Sequence, residues 1–173
     1  AGSGWQSTNV ARVGGAVRDL IFQVKTRHRT AFLDAKTHRV GATRKLTIDG
    51  KHYTPVTEAE RAKITAVVER WGTKQPDASF FKVLDVAHRI AGVGSLGISR
   101  YAVLVEGKGS PDGNYLLDLK EEPDSSLQPY LKLSQPRWDS QAERVVSVQS
   151  RVQEMPPALL STVESGGKHY VLH

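Results

Sequence analysis

The sequence predicts an α+β fold: an antiparallel sheet of about five strands with one packed helix, preceded by a basic helix–hairpin–helix extension. Three observations carry this. Five short, β-branched or alternating runs follow Ser79, separated by Gly-, Pro-, Asp- and Ser-rich turn chemistry. One helical stripe, Val145, Val148, Val152 and Met155, stands between the third and fourth of those runs. Ahead of Gly72, helical spacing flanks a hairpin dipeptide. The boundary is placed between Gly72 and Ser79, giving an extension at 1–78 and a sheet domain at 79–173.

The elements follow in order. From Val10 to about Thr37 the residues Val13, Val17, Leu20, Ile21, Val24, Phe32 and Leu33 recur at three- and four-residue steps, as in a helix. Gly14 and Gly15 weaken its first turn. Arg44 to Ile48 alternates, Asp49-Gly50 is a favoured hairpin dipeptide, and His52 to Val56 is the expected return strand. Thr57 and Glu60 spell a capping box for a helix reaching about Trp71, with Ile64, Val67 and Val68 inward. Phe80 to Ala91 reads as a strand leading into Gly92-Val93-Gly94-Ser95-Leu96-Gly97. Tyr101 to Glu106 is the next strand, Gly107 to Gly113 a turn, and Tyr115 to Glu121 a third strand. Asp139 or Ser140 caps a helix to about Met155, which Pro156-Pro157 stops. Leu159 to Glu164 and Lys168 to His173 close the sheet as a hairpin around Ser165-Gly166-Gly167.

Composition narrows the chemistry. The 173 residues contain no cysteine, which excludes disulfides, thiolate metal sites and a cysteine nucleophile, and fits a cytoplasmic location. No apolar run is long enough for a membrane span, so no membrane partner is expected. Of the six histidines only His169 and His173 stand at H-x-x-x-H spacing, in an expected strand rather than on a helix, and His88, inside an apolar strand, reads as a packed residue rather than a base. Between Lys25 and Lys51 lie eight basic and two acidic residues, a surplus equal to the whole formal net charge of +6. Such a segment suits nucleic acid or an acidic protein surface. Without interleaved aromatic side chains, the favoured reading is a solvated face or one packed on an acidic surface elsewhere.

Gly92, Gly94 and Gly97 satisfy G-x-G-x-x-G. In a dinucleotide fold that loop opens a helix, with an acidic residue about 20 positions on. Here an alternating strand follows instead, so the dinucleotide reading fails on context. The same spelling between two antiparallel strands cradles ATP phosphates in protein kinases, with a lysine on the next strand. Ser95 at the loop tip and Lys120 on that strand meet this requirement. The competing reading is a plain hairpin and a surface lysine. The order strand, glycine loop, strand, strand with lysine, helix, strand, strand is that of a kinase N-terminal lobe, and this conjunction favours the phosphate cradle. A carboxylate on the helix must then hold the lysine. Glu143 is the candidate, although its capping box with Ser140 competes, and Gln149 is a neutral alternative.

Asp85 to Gly97, Tyr101 to Gly107, Leu117 to Glu121 and Glu143 to Val146 together resemble the central part of a large uncharacterised bacterial family, known as a domain of unknown function. Its members are similar to aminoglycoside-phosphotransferase and protein-kinase-like enzymes with the order permuted. The resemblance implies a longer polypeptide in which a G-D-x-H-x-x-N catalytic loop and an aspartate-rich metal motif precede the glycine loop. Neither motif occurs here. The expected function is therefore the nucleotide-phosphate-binding lobe of a kinase-like phosphotransferase, inactive alone, with ATP as ligand and Mg2+ held only with residues absent from this chain. Binding would use Gly92, Gly94, Ser95, Gly97, Lys120 and Glu143. The alternative is a non-catalytic module whose segment 25–51 contacts nucleic acid or a protein. One departure stands out: Asp118 lies two residues before Lys120, on the same face, where kinases of this type set a small residue against adenine.

Overall fold

The computed structural model describes residues 14–26, 28–93 and 97–173. The fold is α+β, built on a six-stranded sheet and a separate two-stranded hairpin. Helix α1 (Gly15–Thr26) and the short α2 (Arg29–Asp34) stand where one helix was expected from Val10 to Thr37, whose first four residues lie outside the described ones. His28 is extended, with φ −90° and ψ 132°, and separates the two. Thr37 opens a strand instead of closing a helix. Its hydroxyl donates to the Leu33 carbonyl at 2.7 Å and ends α2.

The hairpin is the first correction. Strand β1 (Thr37–Val40) pairs with β2 (Thr43–Leu46), so the turn falls at Gly41-Ala42 and not at Asp49-Gly50. Gly41 holds φ 58°, which favours glycine at this turn. Asp49 does a different job. Its carboxylate accepts from the amides of Lys51, His52 and Tyr53 at 2.7–3.0 Å, an Asx-type turn that redirects the chain. Strand β3 (Tyr53–Thr54) then joins the large sheet rather than returning along β2.

Helix α3 (Glu58–Gly72) is capped as its sequence requires. The Thr57 hydroxyl accepts from the Glu60 amide, and the Glu60 carboxylate accepts from the Thr57 amide at 2.9 Å. Beyond it, β4 (Val83–Arg89), β5 (Arg100–Val105), β6 (Tyr115–Glu121), α4 (Gln141–Val152), β7 (Ser161–Ser165) and β8 (Lys168–Leu172) follow in the expected sequence. The sheet order is β3-β4-β5-β6-β8-β7, antiparallel throughout. The sixth strand is β3, drawn from the part of the chain assigned to the extension.

Strand alternation sorts the two faces. Ile64, Val67 and Val68 of α3 pack with Val86, Tyr101, Val103, Leu117, Leu119, Tyr170 and Leu172 on one face. On the other, Leu33 of α2 and Leu46 of β2 cover Ala87, Ala102 and Leu104. Residues on both sides of position 78 thus share each core. Toward β7 and β8, α4 packs against the sheet, where its Ala142 and Val171 of β8 are buried. The end of the second face away from Leu104 carries the polar residues considered next.

Candidate functional site

Strands β4 and β5 are joined through residues 90–99, which contain the glycine motif. Gly92 and Gly97 hold φ 70° and 82°, and neither amide donates to a group among the described residues. Gly94 and Ser95 lie outside the described residues. The base of the loop is tied to β6 and β8. Glu121 donates its amide to the Ser99 carbonyl at 2.9 Å, and Lys168 Nζ reaches the Glu121 carboxylate at 2.8 Å and Ser99 Oγ at 3.2 Å.

In register, Arg100 faces Lys120 and Ala102 faces Asp118. Since Ala102 belongs to the face away from α3, Arg100, Asp118 and Lys120 share it, at the end that α2 and β2 leave open. Asp118 is buried, and its carboxylate organises this end. Arg100 donates to it through Nε at 3.0 and 3.1 Å and through Nη2. Arg89 Nη1 lies 2.8 Å from the same carboxylate, and His173 Nε2 lies 3.5 Å away. The hydrogen bond to Asp118 holds the Arg100 guanidinium above its ordinary pKa, against the opposing effect of burial. A cleft of about 170 Å³ opens beside this cluster, lined by His88, Arg89, Gly92, Gly97 and Arg100 among others.

Lys120 does not meet the helix residues proposed for it. Its amine binds Glu122 Oε1 at 2.9 Å. Glu143 serves its own helix: its amide donates to Ser140 Oγ at 3.1 Å and its carboxylate accepts from the Asp139 amide at 2.8 Å. Gln149 donates to Gln153 at 3.1 Å. The local capping interaction therefore holds Glu143, and Lys120 takes a carboxylate two residues along its own strand. His88 stacks on Tyr101 with ring centroids 4.9 Å apart and sits 3.2 Å from Glu60, half-buried beside the cleft rather than packed in the core. Burial pushes the Tyr101 hydroxyl up to about 12. Among the described residues no group of three or more His, Asp or Glu is placed to hold a metal ion. None of the described helices is long and apolar enough to cross a membrane.

The basic segment is partly spent inside the fold. Arg44, fully buried, binds Asp34 at 2.6 Å, Asp112 at 2.9 Å, Thr37 at 3.2 Å and the Pro111 carbonyl at 2.6 Å. Arg39 also binds Asp112, at 2.7 Å, and Arg29 lies over the Tyr115 ring. The acidic surface on which this segment packs is the loop between β5 and β6.

Sequence reasoning passed over Arg89 and Arg100. A signal was present, since Arg100, Ala102 and Leu104 share one parity on β5, as Asp118 and Lys120 do on β6. Only the strand register brings the two sets together. No curated protein and no solved structure matches the chain. Residues 4–173 match the model of a family described as an uncharacterized protein conserved in bacteria, DUF2252. The chain, matched over nearly its whole length, belongs to the DUF2252 family.

Proposed function

We propose that this chain is the nucleotide-phosphate-binding lobe of a kinase-like phosphotransferase, with ATP as its ligand and the catalytic and metal-binding groups supplied from outside these residues. The observation that carries the reading is the neighbourhood of Lys120. The glycine-loop hairpin β4–β5 lies directly beside β6, and Lys120 pairs in register with Arg100 at the base of that loop. The chain order supports it, with α4 inserted between β6 and the β7–β8 hairpin as in a kinase N-terminal lobe. The amides of Gly92 and Gly97, unclaimed by the described residues, suit an anion-binding loop.

In this reading a phosphate oxygen takes the place of the Glu122 carboxylate on the Lys120 amine, and the glycine loop folds over the phosphate chain. Asp118 stands where kinases of this type set a small residue against adenine, so binding energy comes from the phosphates rather than the base. Calorimetric titration of ATP into the full-length protein tests this. Lys120→Ala weakens ATP by about tenfold, the loss of one charge-assisted hydrogen bond. Its melting temperature should fall modestly, because the nearly buried Glu122 loses its partner, and affinity is read on the folded variant. Absence of ATP binding by the wild type, or unchanged affinity in a folded Lys120→Ala protein, refutes the proposal.

A further inference from the structure

We propose that Arg89 and Arg100 form an anion site at the base of the glycine loop that takes a phosphate group, with Asp118 as its internal occupant when no ligand is bound. The inference rests on the nucleotide-lobe reading only for the identity of what carries the phosphate.

Charge balance comes first. Two guanidinium groups share one buried carboxylate, and the nearest second pair, Lys120 with Glu122, is already neutral. Arg89, Arg100 and Lys120 against Asp118 and Glu122 leave the cluster one positive charge in surplus. A surplus of this kind in a partly desolvated setting is costly unless an anion joins it. The side chains of Arg100 and Arg89 are 15% and 33% exposed, so both are partly withdrawn from water.

Donor accounting points the same way. A guanidinium presents five N–H groups in a fixed fork. Arg100 uses Nε and Nη2 on Asp118, and Arg89 uses Nη1. Each retains further donors, and both residues line the cleft of about 170 Å³. That space equals the liquid volume of about six waters, enough for a phosphate group. The forks match phosphate oxygens in bidentate geometry, where a lysine offers only a point charge. Gly92 and Gly97 line the same cleft with backbone rather than bulk. Arg89 and Arg100 also lie on the two strands that the loop connects, so an anion held between them ties the loop at both ends.

The test is calorimetry on the full-length protein at low ionic strength, with inorganic pyrophosphate, ATP and adenosine as separate titrants. Pyrophosphate and ATP bind, and adenosine does not. Arg89→Gln weakens pyrophosphate by about tenfold, as expected when one charged hydrogen-bonding partner is removed. Arg89→Lys keeps the charge, loses the fork and falls between the two, which guards against a Gln variant that fails to fold. Pyrophosphate binding undiminished in the folded variants, or absent in the wild type, overturns the inference. The two proposals fail separately. ATP binding that needs Lys120 but ignores Arg89 removes the anion site and leaves the nucleotide lobe. Arg89-dependent pyrophosphate binding without any ATP binding establishes the anion site and ends the nucleotide reading.

Discussion

At Arg44 the chain buries a guanidinium completely and satisfies it with two carboxylates, a hydroxyl and a carbonyl. Those bonds join α2, the β1–β2 hairpin and the loop after β5, so Arg44 is a structural rivet rather than part of a binding face. Arg44→Met is expected to cost about 2–3 kcal/mol, less than a fully buried pair because Asp34 and Asp112 regain water. A denaturant melt showing a loss within about 0.5 kcal/mol, as for an ordinary surface change, contradicts this. The pair is also pH-dependent in a fixed direction. The hydrogen bond from Arg44 holds Asp112 below its ordinary 3.8. A carboxyl depressed by folding stabilises the folded state above that ordinary value and loses its contribution as pH falls through the folded one. The stability gap between wild type and Asp112→Asn is therefore present at pH 6 and closes below pH 3.8. At this scale the sequence was informative where one residue type suffices: Lys120 stood out from its strand position. Arg89, Arg100 and Arg44 did not, because their meaning comes from carboxylate partners 10 to 68 residues away.

At the scale of elements, local chemistry decided what was legible. The Thr57–Glu60 box marks the start of α3 to the residue, because both partners lie within one turn. Ser140 marks the start of α4 by accepting from the Glu143 amide, and the Glu143 carboxylate, held by the Asp139 amide, is thereby unavailable to Lys120. The β1–β2 hairpin was not legible, since two competing turn signals, Gly41 and Asp49-Gly50, lie eight residues apart, and the pairing of β3 with β4 is a tertiary choice. Gly72 marked a boundary in the sequence, but its reason is packing. A Cβ built there would lie 2.5 Å from Cβ of Phe81, which is buried against Trp71. Gly72→Ala should thus destabilise the protein by about 1–3 kcal/mol through overpacking, although alanine is the better helix former. Thermal unfolding reads the sign directly: a higher melting temperature would show that Phe81 can yield. The apolar stripe on α4 was expected to face inward, yet Val148, Val152 and Met155 are exposed. Periodicity identifies a helix and its stripe, and does not say what covers the stripe.

At the scale of the whole molecule, the order of parts carried most of the fold. Five strands with a helix before the last two were readable from turn chemistry and alternation, and they assemble as β4-β5-β6-β8-β7. What sequence could not show is that this sheet recruits β3 as an edge strand, with α3 on one face and α2 and β2 across part of the other. That covering matters for function, because it leaves the polar cluster of Arg89, Arg100, Asp118 and Lys120 at the glycine-loop end of its face. The measurement that tests the central claim most directly is a crystal structure of the full-length protein grown with a non-hydrolysable ATP analogue. The phosphates are expected at the loop of residues 90–99, with an oxygen in hydrogen-bond reach of the Lys120 amine and Glu122 released. An analogue ordered on another face, or none bound at saturating concentration, contradicts it.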